Sequence, residues 1–177
     1  MANGNFGDAR RALILLSGLP GAGKTTFAKA LAERLAFVHI ESDAIRRGMA
    51  AEPTYSPQES GAVFARVEAL ARAALTHGEH ALIDATNLTN RDRKRFLRVS
   101  KELDAGLVAV RLTAPEEVLR ARLAKPREGF SQAGVPILEQ MRGRPQPLPV
   151  PAVVVDTRFA LEAAIDIVVT ILNDRYQ

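Results

Sequence analysis

The sequence predicts an α/β fold: a five-stranded parallel sheet with helices on both faces, formed by a single domain over residues 1–177. Three observations predict it. Short apolar runs alternate with longer segments whose apolar residues recur every three or four positions, the rhythm of βαβ units. The runs are continuously apolar, as strands covered on both faces are. The length allows one domain with a sizeable core, whereas two would be cramped.

Taken in order, "RRALILLSG" is the first strand and ends at Gly18. "KTTFAKALAERLA" follows as a helix, with Phe27, Leu31 and Leu35 spaced four apart. "FVHIES" is the second strand, and "SDAIRRGM" opens a helix with Ser42 or Asp43 as its cap. Ser56-Pro57-Gln58-Glu59 is a helix start with Ser as N-cap, Pro at the first helical position and Glu placed for a capping box. That helix runs to about His77 and stops at Gly78. "HALIDATN" is the third strand. Thr89 to Asp92 caps a helix reaching about Asp104, and "GLVAVRL" is the fourth strand. Thr113 to Glu116 caps the next helix. A charged loop with Gly and Pro covers 125–136, "PILEQM" is a short helix and "RPQPLPVP" is extended. "AVVVDT" is the fifth strand, and "ALEAAIDIVVTIL" is the closing helix.

Composition narrows the functional classes. No cysteine occurs, which excludes a disulfide framework and cysteine zinc sites and suits a cytoplasmic location. No apolar run approaches the ~20 residues of a membrane span. Residues 1–10 lack the apolar centre of a signal peptide and read as a frayed leader. The net charge of +4 and pI near 9.8 permit phosphorylated or nucleic-acid partners without requiring them.

The most specific motif is "GLPGAGKTT", Gly18-x4-Gly23-Lys24-Thr25. Its glycines let the backbone turn tightly and aim successive N–H groups inward as an anion nest. Lys24 adds a positive charge for the β- and γ-phosphates, Thr25 offers a hydroxyl to Mg²⁺, and the following helix aims its dipole at the phosphates. This is the P-loop, and with a strand before it and a helix after it the fold class becomes a three-layer P-loop NTPase/kinase fold. Gly18, Leu19, Pro20, Gly21, Ala22, Gly23, Lys24, Thr25 and Thr26 are the expected nucleotide contacts, with ATP and Mg²⁺ as the cofactors. No "NKxD" sequence supports GTP specificity.

Ligands of open parallel sheets sit beyond the carboxyl ends of the strands. Polar residues end three of these strands: Ser17, Glu41-Ser42-Asp43 and Asp84-Ala85-Thr86-Asn87. Phosphoryl transfer needs a carboxylate to take the acceptor's proton, cations to neutralise phosphate, and often a lid. Asp43 is the candidate base, and the bland alternative is a surface ion pair. Arg46 shares a helical face with Asp43 and can bind an acidic group on the acceptor or hold Asp43 in place; Arg47 is as close in spacing. Asp84 can hold Mg²⁺ through water, orient Arg46 or serve as a local cap. Thr86 and Asn87 complete this acceptor side. Arg120, Arg122, Lys125 and Arg127 form a basic lid region over about 122–145, or a solvated face. Arg91, Lys94, Arg95 and Arg98 make a basic stripe suited to a nucleic-acid backbone, or again ordinary surface. The three histidines take no role.

With these residues in hand, the chain resembles the P-loop kinases related to the kinase domain of polynucleotide 5′-hydroxyl kinase and to the zeta toxins. The resemblance spans about residues 12–145 through "GLPGAGKTT", "SDAIR", "IDATNLTNRDR", "APEEVLRARL" and "SQAGVPILEQM". It implies that Asp43 is the general base, that Arg46 rather than Arg47 contacts the acceptor and is held by Asp84, and that Arg122 or a neighbour reaches ATP. The pattern departs at Pro126, where a second lid arginine is usual, and at Gln132, where an acidic residue is usual. The expected activity is transfer of the γ-phosphate of ATP to an acceptor hydroxyl, on either a polynucleotide 5′ end or a small metabolite or antibiotic. A nucleotide-binding switch with slow hydrolysis is the alternative class. Oligomeric state is not written in the sequence.

Overall fold

The computed structural model describes residues 11–50, 52–125, 134–148 and 151–176. The leader 1–10, Pro126, Arg127 and Gln132 lie outside the described residues, as does the middle of the expected lid.

Five strands form one parallel sheet in the order β2-β3-β1-β4-β5. They are β1 (Ala12–Ser17), β2 (Val38–Glu41), β3 (Ala81–Asp84), β4 (Gly106–Thr113) and β5 (Ala152–Asp156). The crossover helices are α1 (Lys24–Ala32), α2 (Ser42–Met49), α3 (Pro57–Thr76), α4 (Asn90–Glu102), α5 (Glu116–Ala124) and α6 (Val135–Met141), and α7 (Glu162–Tyr176) follows the last strand. β1 is fully buried, and its alternate side chains feed two cores. Leu13 and Leu15 meet Val63, Val67, Phe96 and Val99 of α3 and α4. Ile14 and Leu16 meet Phe27, Leu31, Val168 and Leu172 of α1 and α7. The three layers are therefore those expected.

The differences lie at helix ends. α1 stops at Ala32, short of the expected Ala36, because the amides of Arg34 and Leu35 both turn back to the Leu31 carbonyl. α2 has no side-chain cap: Glu41, extended at the end of β2, occupies the N-cap position instead of Ser42 or Asp43. α5 begins after Pro115 without a side-chain cap, since Thr113 is still in β4. The capping box of α4 is complete, with Thr89 and Asp92 each accepting the other's amide. That of α3 is half made: Ser56 accepts from the Glu59 amide, but the Glu59 carboxylate goes elsewhere.

The register places the site. Glu41 pairs with Asp84 across β2 and β3, and Ser17 with Arg111 across β1 and β4. The first two carboxylates therefore share one end of the sheet with the turn that leaves β1.

Candidate active site

The turn after β1 is shaped by backbone. A Cβ on Gly18 would lie 2.6 Å from the Leu112 carbonyl oxygen, so no side chain fits there. Gly21 and Gly23 hold φ of 80° and 88°, in the left-handed region. The Gly18 amide donates to the Thr86 carbonyl at 3.0 Å, which ties the loop to the end of β3. α1 then starts with Gly23 at its N-cap and no side chain on its first amides, leaving them for an anion. Lys24 lies across this loop, its ammonium donating to the Gly18 and Leu19 carbonyls at 3.0 and 3.2 Å. Pro20 and Ala22 are buried beneath it, and Thr26 is exposed.

Beside it, Thr25 donates its hydroxyl to Asp84 Oδ2 at 2.8 Å. The same oxygen lies 3.2 Å from His39 Nε2, so β2 and β3 both hold the carboxylate in place. A hydroxyl and a carboxylate side by side next to a phosphate cradle are hard oxygen donors of the kind Mg²⁺ takes, together with waters and phosphate. Glu41 stands next to them. Burial first, and the charge of Asp84 next, push its carboxyl above the ordinary range.

Asp43 sits half-buried in the first turn of α2. Among the described residues its carboxylate forms no hydrogen bond or ion pair. Arg46 is buried, and here the expectation is corrected: its guanidinium turns to Glu59 and not to Asp84. Nη1 donates to Glu59 Oε1, Nη2 lies 3.4 Å from the Ser60 hydroxyl, and the Tyr55 ring covers the guanidinium 4.5 Å away. The Thr54 amide and hydroxyl donate to the other Glu59 oxygen at 2.7 and 2.6 Å. These donors, the Thr54 hydroxyl above all, hold the Glu59 carboxyl down to about 2. Arg47 is exposed.

Asn87 is corrected too. It is fully buried, at φ 44°, and its amide nitrogen donates to the Leu16 carbonyl at 2.7 Å. It ties β3 to β1 rather than facing an acceptor, while Thr86 is half-buried at the rim. Arg93 was missed by sequence reasoning. It is completely buried, and its guanidinium donates to the carbonyls of Asn87, Leu88, Gln146 and Pro147 and to Asn90 Oδ1. It thereby fixes the return from α6 onto the β3–α4 turn. Its flanking positions gave no signal, because an arginine in a basic helix reads as surface.

The lid helix is only partly as expected. Arg122 donates to the Gly21 carbonyl at 3.2 Å and to Thr157 Oγ1 and O at 2.8 and 2.7 Å. It therefore braces the P-loop against the turn after β5. Arg120 pairs with Glu116 and Glu139, joining α5 to α6. On α4, Arg91, Lys94, Arg95 and Arg98 line a shallow groove. Arg95 and Arg98 pair with Glu68 at 3.2 and 3.4 Å, which favours the surface reading for that half of the stripe. Among the described residues no helix is long and apolar enough to cross a membrane.

A glycine cradle at the end of β1, closed by lysine and threonine, on a five-stranded parallel sheet defines a P-loop domain of kinase architecture. Residues 13–148 match the AAA domain family, and the chain belongs to that family. It is 32% identical over 112 residues to an L-seryl-tRNA(Sec) kinase of Methanococcus maripaludis, a match covering 62% of this chain and 44% of that protein. It is 33% identical over 122 residues to an adenylyl-sulfate kinase of Paraburkholderia xenovorans, covering 66% of each. The chain thus spans between about half and two thirds of the length of these relatives. Among solved structures, a putative kinase from Chloroflexus aurantiacus superposes with a TM-score of 0.75 at 22% identity, over 95% of this chain and 99% of that one. An adenosine phosphosulfate (APS) kinase of Mycobacterium tuberculosis, in complex with AMPPNP and APS, superposes at 0.71 with 15% identity, over 93% and 98%. The relatives are kinases, and the two structures share the fold.

Proposed function

We propose that the protein is an ATP- and Mg²⁺-dependent phosphotransferase acting on an acceptor hydroxyl. The observation that carries this reading is the Asp43 carboxylate, half-buried in the first turn of α2 just after β2 and, among the described residues, without a hydrogen bond or ion pair. The acceptor oxygen forms a bond to the γ-phosphorus, the bond from that phosphorus to the bridging oxygen breaks, and ADP leaves. The acceptor proton passes to Asp43. Lys24 leaves the Gly18 and Leu19 carbonyls to neutralise phosphate charge. Arg122, with Arg127, supplies further cations from the lid side. Thr25 and Asp84 would hold Mg²⁺, which supplies charge neutralisation at the phosphates.

The kinase relatives support phosphoryl transfer as the reaction class. Resemblance to the polynucleotide kinase and zeta toxin group rests on the ordered motifs alone. The test is a screen for transfer of labelled γ-phosphate to oligonucleotides, sugars, nucleosides and aminoglycosides. One labelled acceptor class is expected. Tight ATP binding with no acceptor labelled, and slow hydrolysis only, would favour a switch.

A further inference from the structure

The acceptor wall carries more acid than the resemblance leads one to expect. Arg46 is the cation that should greet an acidic group on the acceptor, yet its charge is already answered by Glu59. The pair is closed in. Arg46 is 6% exposed, its buried Nε has no partner among the described residues, and Tyr55 covers the guanidinium face. Tyr55 itself holds φ 53°, a left-handed conformation that costs an aromatic residue energy. The strap Thr54–Ser56 is thus held over Arg46 against a local backbone preference, and Thr54 fixes the second Glu59 oxygen.

With that pair neutral, Arg46 offers no free positive charge to an acceptor, and Asp43 and Glu41 bring acid to the same end of β2, against Lys29, His39 and the exposed Arg47. A further negative charge entering here meets repulsion in a partly desolvated cleft.

We propose that the site takes a hydroxyl acceptor with no negative charge beside the reacting oxygen, a neutral polyol or an amino-bearing alcohol, because Glu59 neutralises Arg46 inside the cleft wall. This rests on the phosphotransferase reading. Glu59 is then a specificity residue, and rejection of anions comes from charge rather than shape.

The experiment measures kcat/KM for labelled phosphate transfer over charge-matched acceptor sets: glucose, glucosamine and gluconate; a nucleoside and its monophosphate; an aminoglycoside; and a 5′-hydroxyl oligonucleotide. In the wild-type chain, neutral or amino-bearing members should exceed their anionic counterparts by about tenfold or more. Glu59→Gln removes the neutralising charge and keeps the shape, and it should shift that ratio toward the anion by about tenfold. Preference of the wild type for an anionic member overturns the inference and leaves the kinase reading standing. A ratio that Glu59→Gln leaves unmoved, in protein whose circular dichroism matches the wild type, also overturns it. Should the variant not fold, the wild-type ratio alone decides. Labelling of no member overturns the kinase reading, and the inference falls with it.

Discussion

The two sides of the cleft are built from different materials. The phosphate side is made of backbone: three glycines, amides at the start of α1, and carbonyls that hold Lys24 until an anion arrives. The side proposed for the acceptor is made of side chains set against one another, Arg46 on Glu59 and Asp84 on both Thr25 and His39. A backbone site recognises what all nucleotides share, their phosphates. A side-chain site recognises what distinguishes one acceptor from another, and it changes by single substitutions. The first should be intolerant and general, the second tunable.

Four variants sharpen or break this contrast. Among these, the largest effect falls on the phosphate side. Lys24→Ala should lower phosphoryl transfer by about 10²–10³-fold, as loss of a transition-state cation does, measured as turnover at saturating ATP. Gly18→Ala forces the backbone off Leu112, whose oxygen would sit 2.6 Å from the new carbon. It should cost about 2–3 kcal/mol in denaturant melts and weaken nucleotide binding as well. Equal tolerance of Gly18→Ala and Glu59→Gln would erase the contrast.

On the acceptor side the expected effects are smaller and partly visible in pH. The Glu59 carboxyl is held at about 2 against an ordinary 4.5, with the Thr54 hydroxyl as the main cause. A depressed carboxyl adds stability that is fully present above the ordinary value and is lost as pH falls from about 4.5 toward 2. Glu59→Gln should flatten that part of the acid-unfolding curve without moving ATP binding at neutral pH. The smallest effect belongs to α4. Arg91→Glu with Lys94→Glu should change stability by no more than about 0.5 kcal/mol. If this stripe is surface only, salt dependence of activity on an uncharged acceptor should be unchanged as well.

What the sequence disclosed follows the same division. The P-loop, the strand order of polarity and the Thr89–Asp92 capping box were legible because each is written in a few consecutive residues. Asp43 stood out in the sequence because it follows directly on a strand end, and its role as base is a proposal. The partner of Arg46 was not. Glu59 lies thirteen residues further on, and its spacing from Ser56 reads as a capping box, which it half forms before its carboxylate turns to Arg46 and Thr54. Asn87 read as a contact because it follows a strand among polar residues, yet it is fully buried and its amide nitrogen donates to the Leu16 carbonyl. His39 gave no signal, since only the β2–β3 pairing brings it to Asp84. Arg93 looked like one more surface cation and is a buried tie, its charge met by four carbonyls and an amide oxygen.

The central claim is that donor binding and proton removal belong to separate sides of the cleft. Its most direct test is Asp43→Asn, measured for ATP affinity by calorimetry and for γ-phosphate transfer in the same preparation. The account predicts ATP binding within about twofold of wild type and transfer reduced by about 10²–10⁴-fold, the range for loss of a general base. Transfer at the wild-type rate would contradict it.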